Sequence, residues 1–296
     1  VTCQNDKGAQ SNGNIVMASI KSNSVLVLQY GTSAILNAPA FSDLDGTMYA
    51  PEDGGMGYYS LAKSVSYAPR RLTVLLNDET KDVAYKHCFV VNKLDHYIYT
   101  VMVKGQLVRI KPNTRTCELL LKKVGTSTRP DACDSYLAFS PVKGQENMLY
   151  VEMAEGNQIW RVDVGNLEGK DKNTYPGEGY AGKAILEGQV AGAGWEDGLL
   201  RNAKFDNPHQ ICFTEDGKLY IADCGNNCIR VIDTKLPLDR AMVTTPIGLP
   251  GMKGYKDGGP DIALFNHPFG VAVSADGQIV YVADTGNKVI RKLSIQ

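Results

Sequence analysis

The sequence has no apolar run approaching the ~20 residues that a membrane helix needs. Its strongest runs, Val25–Leu28 and Leu119–Leu121, have the length of strands. Its seven cysteines are too sparse for a disulfide scaffold and form no pair of CxxC motifs that would indicate zinc. Charge of either sign is not in excess, since 31 basic and 32 acidic residues leave a net charge of −1. This balance argues against a nucleic-acid partner, which requires broad neutralisation of phosphates.

The residues that are abundant predict a folded, β-rich protein. Hydrophobic residues make up 43% and charged residues 21% of the 296 positions, which is typical of a globular chain. Thirty glycines and fifteen tyrosines indicate many turns and strands. Because the chain begins at Val1 rather than Met, we expect a leader or an upstream segment to precede it.

Two segments of similar sequence, 192–233 and 251–294, indicate an internal repeat. Within each copy, an aromatic residue and an acidic residue precede a Phe and a Pro, and a Tyr-x-Ala-Asp run precedes Gly-Asn and Ile-Arg. The matched pairs are Trp195/Tyr255, Asp197/Asp257, Phe205/Phe265, Pro208/Pro268, Asp223/Asp284, Asn226/Asn287 and Arg230/Arg291.

Each copy is predicted to contain short antiparallel strands joined by tight turns. Asp216-Gly217 and Asp276-Gly277 are hairpin signals, and a Gly-Asn turn follows the next strand. The predicted strands are Gln210–Thr214, Leu219–Asp223, Cys228–Asp233 and Ala241–Thr245 in the first copy, and Gly270–Ser274, Val280–Asp284 and Lys288–Leu293 in the second. Four antiparallel strands in a repeating unit are typical of a β-propeller blade.

The repeat resembles the NHL repeat. The second copy carries that motif almost intact, in Phe265, Pro268, Gly270, Asp276, Gly277, Tyr281, Ala283, Asp284, Gly286, Asn287, Ile290 and Arg291. The resemblance implies an all-β propeller with almost no helix. The clear match covers roughly a third of the chain, and the earlier units are degenerate.

Four weaker units complete a predicted six-bladed propeller that spans 1–296 as one domain. They are 136–163, 87–110, Ala40–Leu76 and Asn14–Leu36, and a third-strand arginine is present in the first two as Arg161 and Arg109. The segment 165–207 is predicted to be a loop between blades. We expect Val1–Gln4 to pair with Lys288–Leu293 and close the ring, because an open blade edge would otherwise remain. The alternative is that 1–12 is the tail of an upstream domain.

Candidate ligand-binding residues lie in the loops expected on one face of the propeller. Aromatic rings beside amides suit recognition of sugars or peptides. The candidates are Trp195, Tyr255, His209, His267, Tyr180, Asn226 and Asn287. The competing interpretation is that Trp195 and Tyr255, being repeat equivalents, pack their own loops. Asp223 and Asp284, with Arg230 and Arg291, are interpreted as scaffold because they recur at fixed repeat positions.

The sequence predicts no catalytic residue, no metal site and no cofactor. In the NHL-like amidating lyases, histidines at the position of His209 hold a catalytic zinc. Here the corresponding residues are Phe269 in the next blade and Tyr85 in an earlier one, and a single His cannot form a three-ligand site. Cys224 and Cys228 flank a tight turn, so both a disulfide and two free thiols are open at this stage.

The sequence therefore predicts a non-catalytic binding or scaffold module with a glycan or protein partner. It resembles the NHL domains of secreted or surface proteins of Bacteroidetes, which implies an extracytoplasmic location and an upstream lipid anchor. One alternative is a metal-dependent propeller enzyme, a lyase or a lactonase, with a ring of Glu, Asp and Asn ligands at the central channel. Another is an RNA-binding propeller, which the near-neutral charge argues against. The oligomeric state is left open.

Overall fold

A computed structural model describes residues 2–3, 14–19, 24–29, 38–52, 57–81, 88–125, 134–182, 191–274 and 276–295. These residues form β-strands and turns, with three short 3-10 turns at Lys63–Val65, Ala154–Gly156 and Thr285–Asn287 and no α-helix in the described ranges. No helix of sufficient length and apolarity to cross a membrane occurs among them. The chain divides into two compact units, 1–122 and 123–296.

The first unit contains two four-stranded blades and a three-stranded N-terminal sheet. The N-terminal sheet is β1 (Thr2–Cys3), β2 (Asn14–Ser19) and β3 (Ser24–Gln29). Blade 1 is β4 (Ala40–Phe41), β5 (Met48–Pro51), β6 (Gly57–Leu61) and β7 (Pro69–Thr73). Blade 2 is β8 (Val90–Val91), β9 (Ile98–Val101), β10 (Leu107–Lys111) and β11 (Thr116–Leu121). Tyr58, Phe89, Ile98 and Val108 belong to the apolar core that these two blades share.

The second unit contains the remaining three blades. Blade 3 is β12 (Leu137–Phe139), β13 (Met148–Met153), β14 (Gln158–Asp163) and β15 (Glu178–Ala181). Blade 4 is β17 (Pro208–Phe213), β18 (Lys218–Asp223), β19 (Cys228–Asp233) and β20 (Met242–Ile247), with the short strand β16 (Gly198–Leu199) added outside β20. Blade 5 is β21 (Pro268–Val273), β22 (Ile279–Asp284) and β23 (Val289–Ser294). The first strands of these blades contact one another in sequence order.

The predicted propeller class is correct, but the described residues form five blades rather than the predicted six. The strands predicted for blades 4 and 5 occur within one or two residues of their expected bounds, and Gly217 and Gly277 adopt the positive φ values, 83° and 73°, of the predicted turns. The unit Asn14–Leu36, predicted as a sixth blade, instead contributes β2 and β3 to the three-stranded sheet with β1. The side chains of that sheet lie outside the described part of the chain.

The N-terminal strand, which was predicted to close the ring by pairing with Lys288–Leu293, pairs in the described residues with a strand of its own unit. Thr2 and Cys3 pair with Ile15 and Asn14 of β2. This antiparallel pairing joins strands that are close in sequence, which costs less chain entropy than pairing with a distant strand. The predicted loop 165–207 also needs correction, since it contains both β15 and β16.

Candidate functional site

A buried arginine in blade 4 fixes the loop that leads into that blade. Arg230 is fully buried, and its guanidinium donates to the carboxylates of Asp223 at 2.7 Å and Asp197 at 2.8 Å. It also donates to the carbonyl oxygens of Glu196 and Lys204, both at 2.8 Å. One side chain therefore joins the end of β18 to both limbs of the loop 194–207.

Blade 5 repeats this arrangement, as the pairing of Asp284 with Arg291 in the sequence indicates. The guanidinium of Arg291 donates to Asp284 at 3.1 Å, to the carbonyl oxygens of Lys256 and Leu264, and to the carboxylate of Asp257. We call the two groups the arginine clamps of blades 4 and 5. The predicted scaffold role of these residues fits the geometry, because charge-assisted bonds of this kind immobilise the loops.

The third-strand arginines of blades 2 and 3 have a different role because their register differs by one residue. Arg109 pairs with Tyr99 and Arg161 with Tyr150, whereas Arg230 pairs with Ile221, one position further along its strand. A shift of one residue turns a side chain to the opposite face of the sheet. The two arginines accordingly form ion pairs with fourth-strand carboxylates, Arg109 with Glu118 and Arg161 with Glu178.

The amides of Asn226 and Asn287 are used inside the protein. Asn226 Nδ2 donates to the carbonyl oxygen of Gly194 at 2.8 Å and to Asp223 at 2.9 Å. Asn287 Nδ2 donates to Gly254 and to Asp284, both at 2.8 Å. These two side chains thus fix the inter-blade loops to the ends of the second strands. Because their N–H groups are already used, the two amides are less suited to contact a ligand than the sequence indicated.

Trp195 and Tyr255 are the most exposed aromatic side chains among the predicted site residues. Trp195 is 50% exposed and its Nε1 donates to Thr245 Oγ1 of β20 at 3.0 Å. Tyr255 is 62% exposed, and its ring centroid lies 5.0 Å from the guanidinium carbon of Arg291. The ring centroid of Phe265 lies 5.4 Å from the same guanidinium carbon. Both rings therefore have fixed positions at repeat-equivalent sites while keeping a large open surface.

His209 lies elsewhere in the unit, in a cluster of three rings. It stacks on Phe269 with ring centroids 3.7 Å apart, and Tyr136 contacts both rings edge-on at 6.1 Å. His209 is buried, and its neighbours come from the first strands, whereas Trp195 is bonded to the fourth strand. First and fourth strands are separated by about 14 Å at ~4.8 Å per strand. The predicted residues therefore form two groups, and sequence reasoning missed Tyr136, which lies in a degenerate repeat.

The other two predicted residues also differ in position. His267 is exposed, has a positive φ of 51°, and its backbone N–H donates to Asn227 Oδ1 at 2.9 Å. Tyr180 is buried against Tyr150, with ring centroids 4.9 Å apart. His267 is therefore accessible to a ligand, and Tyr180 is part of the core of blade 3. Tyr85, the third residue compared with His209 in the sequence, lies outside the described ranges.

A buried carboxyl group, Glu152 of β13, lies next to the ring cluster. Its Oε2 accepts the backbone N–H of Tyr136 at 3.3 Å, and its Oε1 has no hydrogen-bond partner among the described residues. Burial raises the pKa of Glu152 well above its ordinary value. The hydrogen bond from the Tyr136 N–H lowers this pKa in part, whereas the nearby carboxylates of Glu155 and Asp134 raise it. The geometry thus favours a protonated, neutral side chain at this position.

Replacing Glu152 by Gln is expected to stabilise the protein at alkaline pH. The folded state holds the Glu152 proton more tightly than the unfolded state, so its contribution to stability falls as pH rises through the raised pKa. Gln keeps an oxygen for the Tyr136 N–H and does not titrate. Thermal unfolding at pH 5 and pH 9 should give equal Tm values at pH 5 and a Tm higher by at least about 2 °C for the variant at pH 9. Equal Tm values at both pH values would contradict this prediction.

Within the described ranges, no three His, Cys, Asp or Glu side chains are placed to hold a metal ion together. Cys224 and Cys228 are free thiols rather than a disulfide, and burial raises the pKa of Cys224 to about 12. A thiol with so high a pKa is a poor nucleophile at neutral pH.

Comparison with known proteins agrees with this fold. Residues 205–232 match the family described as "NHL repeat". A chicken protein described as "NHL repeat-containing protein 2" is 29% identical over 151 residues, which is 51% of this chain and 19% of that protein. The chain thus spans about a fifth of the length of that curated relative.

Solved structures of Bacteroides proteins have the same fold over nearly the whole chain. A structural genomics protein of unknown function from Bacteroides thetaiotaomicron superposes with a TM-score of 0.73 at 21% identity, covering 97% of this chain and 65% of that one. An "auxiliary nutrient binding protein" from the same organism gives 0.72 at 20% identity, with 97% and 64% covered. The chain is thus a β-propeller with an NHL repeat at residues 205–232, one of the two copies that the sequence indicated.

Proposed function

We propose that the chain is a non-catalytic binding module that recognises an oligosaccharide or a peptide at an extracytoplasmic location. The observation that carries this proposal is the pair of exposed aromatic rings, Trp195 and Tyr255, at equivalent positions of adjacent blades. Flat rings with fixed orientation provide contact area for sugar faces or apolar side chains at little cost in conformational entropy.

The surroundings of the two rings support recognition rather than chemistry. Trp195 is bonded to Thr245, which in turn donates to the clamped Asp197 at 2.8 Å, so the ring is held by a chain of hydrogen bonds. Tyr255 is held on the Arg291 guanidinium. The description of one structural neighbour as a nutrient-binding protein supports a nutrient-derived ligand and a location outside the cytoplasm.

Substitution of the two aromatic residues tests this proposal. Stacking on each ring contributes about 1 kcal/mol, so Trp195→Ala and Tyr255→Ala should each weaken binding about fivefold, and the double variant about thirtyfold. Calorimetric titration with a panel of oligosaccharides and peptides measures these changes. Leu238→Ala, an exposed apolar residue in the loop after β19, is the matched control and should leave the affinity unchanged. A ligand bound equally well by all variants would exclude the pair as its site.

A further inference from the structure

The two loop segments that carry the exposed aromatic rings differ in charge. Residues 192–197 read Gly-Ala-Gly-Trp-Glu-Asp, and the equivalent residues 252–257 read Met-Lys-Gly-Tyr-Lys-Asp. Two carboxylates give the first segment a formal charge of −2, whereas two lysines and one carboxylate give the second a charge of +1. The surroundings of Tyr255 in blade 5 are therefore positive where those of Trp195 in blade 4 are negative.

In blade 4, both charged residues that follow the ring are neutralised inside the protein. Glu196 lies directly after Trp195 and bridges to Lys204 on the other limb of the loop, where their side chains form an ion pair at 3.2 Å. The carboxylate of Asp197 accepts from the Arg230 guanidinium at 2.8 Å. The Trp195 end of the aromatic pair thus presents a ring without an unpaired charge beside it.

In blade 5, the equivalent positions leave two lysines without a counter-charge. Lys256 bridges across the loop to Leu264, an apolar residue that cannot form an ion pair. Lys253 and Lys256 are both exposed, and neither forms an ion pair with a carboxylate among the residues that the structure describes. Asp257, the next residue, is bound by Arg291. Two ammonium groups therefore flank the exposed Tyr255 ring and are available to an anionic ligand.

The backbone of both loops favours a sugar over a peptide as that ligand. The N–H groups of Gly194 and Gly254, directly before the rings, donate across their own loops at 3.0 and 2.8 Å. Lys256 and Leu264 each donate their N–H to the other's carbonyl oxygen. An extended peptide gains affinity from main-chain hydrogen bonds, which these groups no longer offer. A sugar is recognised by a ring face and by polar side chains, and both are present here.

We infer that the aromatic pair binds an acidic oligosaccharide, whose sugar rings stack on Trp195 and Tyr255 and whose anionic groups bind the ammonium groups of Lys253 and Lys256. This inference rests on the binding function proposed above and specifies its ligand. The anionic substituent is a carboxylate in a uronic acid or a sulfate ester in a sulfated sugar, and either accepts from an ammonium group. Its contribution comes from the blade 5 end of the pair, where the lysines lie.

Matched pairs of charged and neutral sugars test this inference on the whole chain. Oligogalacturonate and its methyl ester share one sugar chain and differ in the carboxylate charge, and a sulfated galactan oligosaccharide and its desulfated form provide the sulfate arm. Calorimetric titration at low salt should show at least one acidic form bound about fivefold or more tighter than its neutral partner, as two exposed ion pairs would give. That difference should shrink in about 0.5 M NaCl, because salt screens exposed charges.

Substitutions on the protein assign the effect to the two lysines. Lys253→Gln and Lys256→Gln should each weaken binding of the acidic sugar about twofold to fivefold and leave the neutral sugar unchanged. Lys235→Gln, at an exposed lysine in the loop after β19, is the matched control and should change neither affinity. Ala193→Lys places in blade 4 the lysine that blade 5 has, and it should strengthen binding of the acidic sugar by a similar factor. Equal Tm values verify that the variants fold.

Three results would overturn the inference. The first is equal affinity for the acidic and neutral sugars, with both weakened by Trp195→Ala, which leaves the proposed binding function standing and removes the charge requirement. The second is tighter binding of an oligoglutamate peptide than of either acidic sugar, which would make an acidic peptide the ligand. The third is that no oligosaccharide or peptide of the panel binds, which would contradict the proposed function and the inference together.

Discussion

Replacing Arg230 by Met is expected to lower the free energy of unfolding by about 3–5 kcal/mol, which is the cost of removing one partner from a buried ion pair. Arg230 and Asp223 are both fully buried and lie 2.7 Å apart. Met fills a similar volume but leaves the Asp223 carboxylate without its counter-charge. It also leaves the carbonyl oxygens of Glu196 and Lys204 without their donor.

The loss should depend on pH. Burial raises the pKa of Asp223 from 3.8 to about 6, and the Arg230 charge works against that rise. Because the folded pKa lies above the unfolded value, the contribution of this group to stability falls as pH rises from the unfolded through the folded pKa. Without Arg230 the pKa of Asp223 rises further, so the ionised form becomes more costly. The stability difference between the variant and the unaltered protein should therefore widen between pH 5 and pH 8.

Urea unfolding at pH 5 and pH 8 measures both effects, with Arg161→Met as the matched control. Arg161 occupies a third strand as well, but its partner Glu178 is about half exposed. Loss of that pair should cost less than about 1 kcal/mol at either pH. A comparable loss of unfolding free energy in both variants would mean that the buried ion pair of Arg230 stabilises the protein no more than the exposed pair of Arg161.

The inner strands of blades 4 and 5 were predictable because their turns are encoded locally. Asp-Gly and Gly-Asn pairs define hairpins from a few residues, and the repeat places the strands between them. The outermost strands of blades 3 and 4 were less predictable, since β15 and β16 are short segments within a Gly-rich stretch and acquire their structure by pairing with distant strands. The blade count failed for the same reason, because the partner of β2 depends on pairing that no local motif specifies.

The sequence named candidate site residues but could predict their positions in the fold only in part. The repeat correctly paired Trp195 with Tyr255, yet it could not reveal that Asn226 and Asn287 donate to loop carbonyl oxygens. An amide in a turn looks the same in sequence whether it contacts a ligand or its own backbone. The role of Arg161 was equally hidden, because a shift of one residue in register changes the face that a side chain occupies.

Replacing Phe265 by Ala is expected to cost about 3–5 kcal/mol of folding free energy, as is usual for a fully buried aromatic residue. Phe265 is completely buried in the core that blades 4 and 5 share, where Ile247 and Val271 are among its neighbours. Its backbone carbonyl oxygen accepts the N–H of Gly254 at 2.8 Å, so it also anchors the loop that carries Tyr255.

The same substitution should weaken ligand binding at the aromatic pair, because it removes one side of the support for Arg291. That guanidinium lies 5.4 Å from the Phe265 ring and 5.0 Å from the Tyr255 ring, so truncation of Phe265 should loosen the group on which Tyr255 rests. Ile262→Ala is the control, since Ile262 lies in the same loop but is largely exposed and its truncation should change stability by less than about 1 kcal/mol. Chemical unfolding of both variants, together with titration at a temperature where both remain folded, separates the two effects. Unchanged affinity in folded Phe265→Ala would show that the position of Tyr255 does not depend on this support.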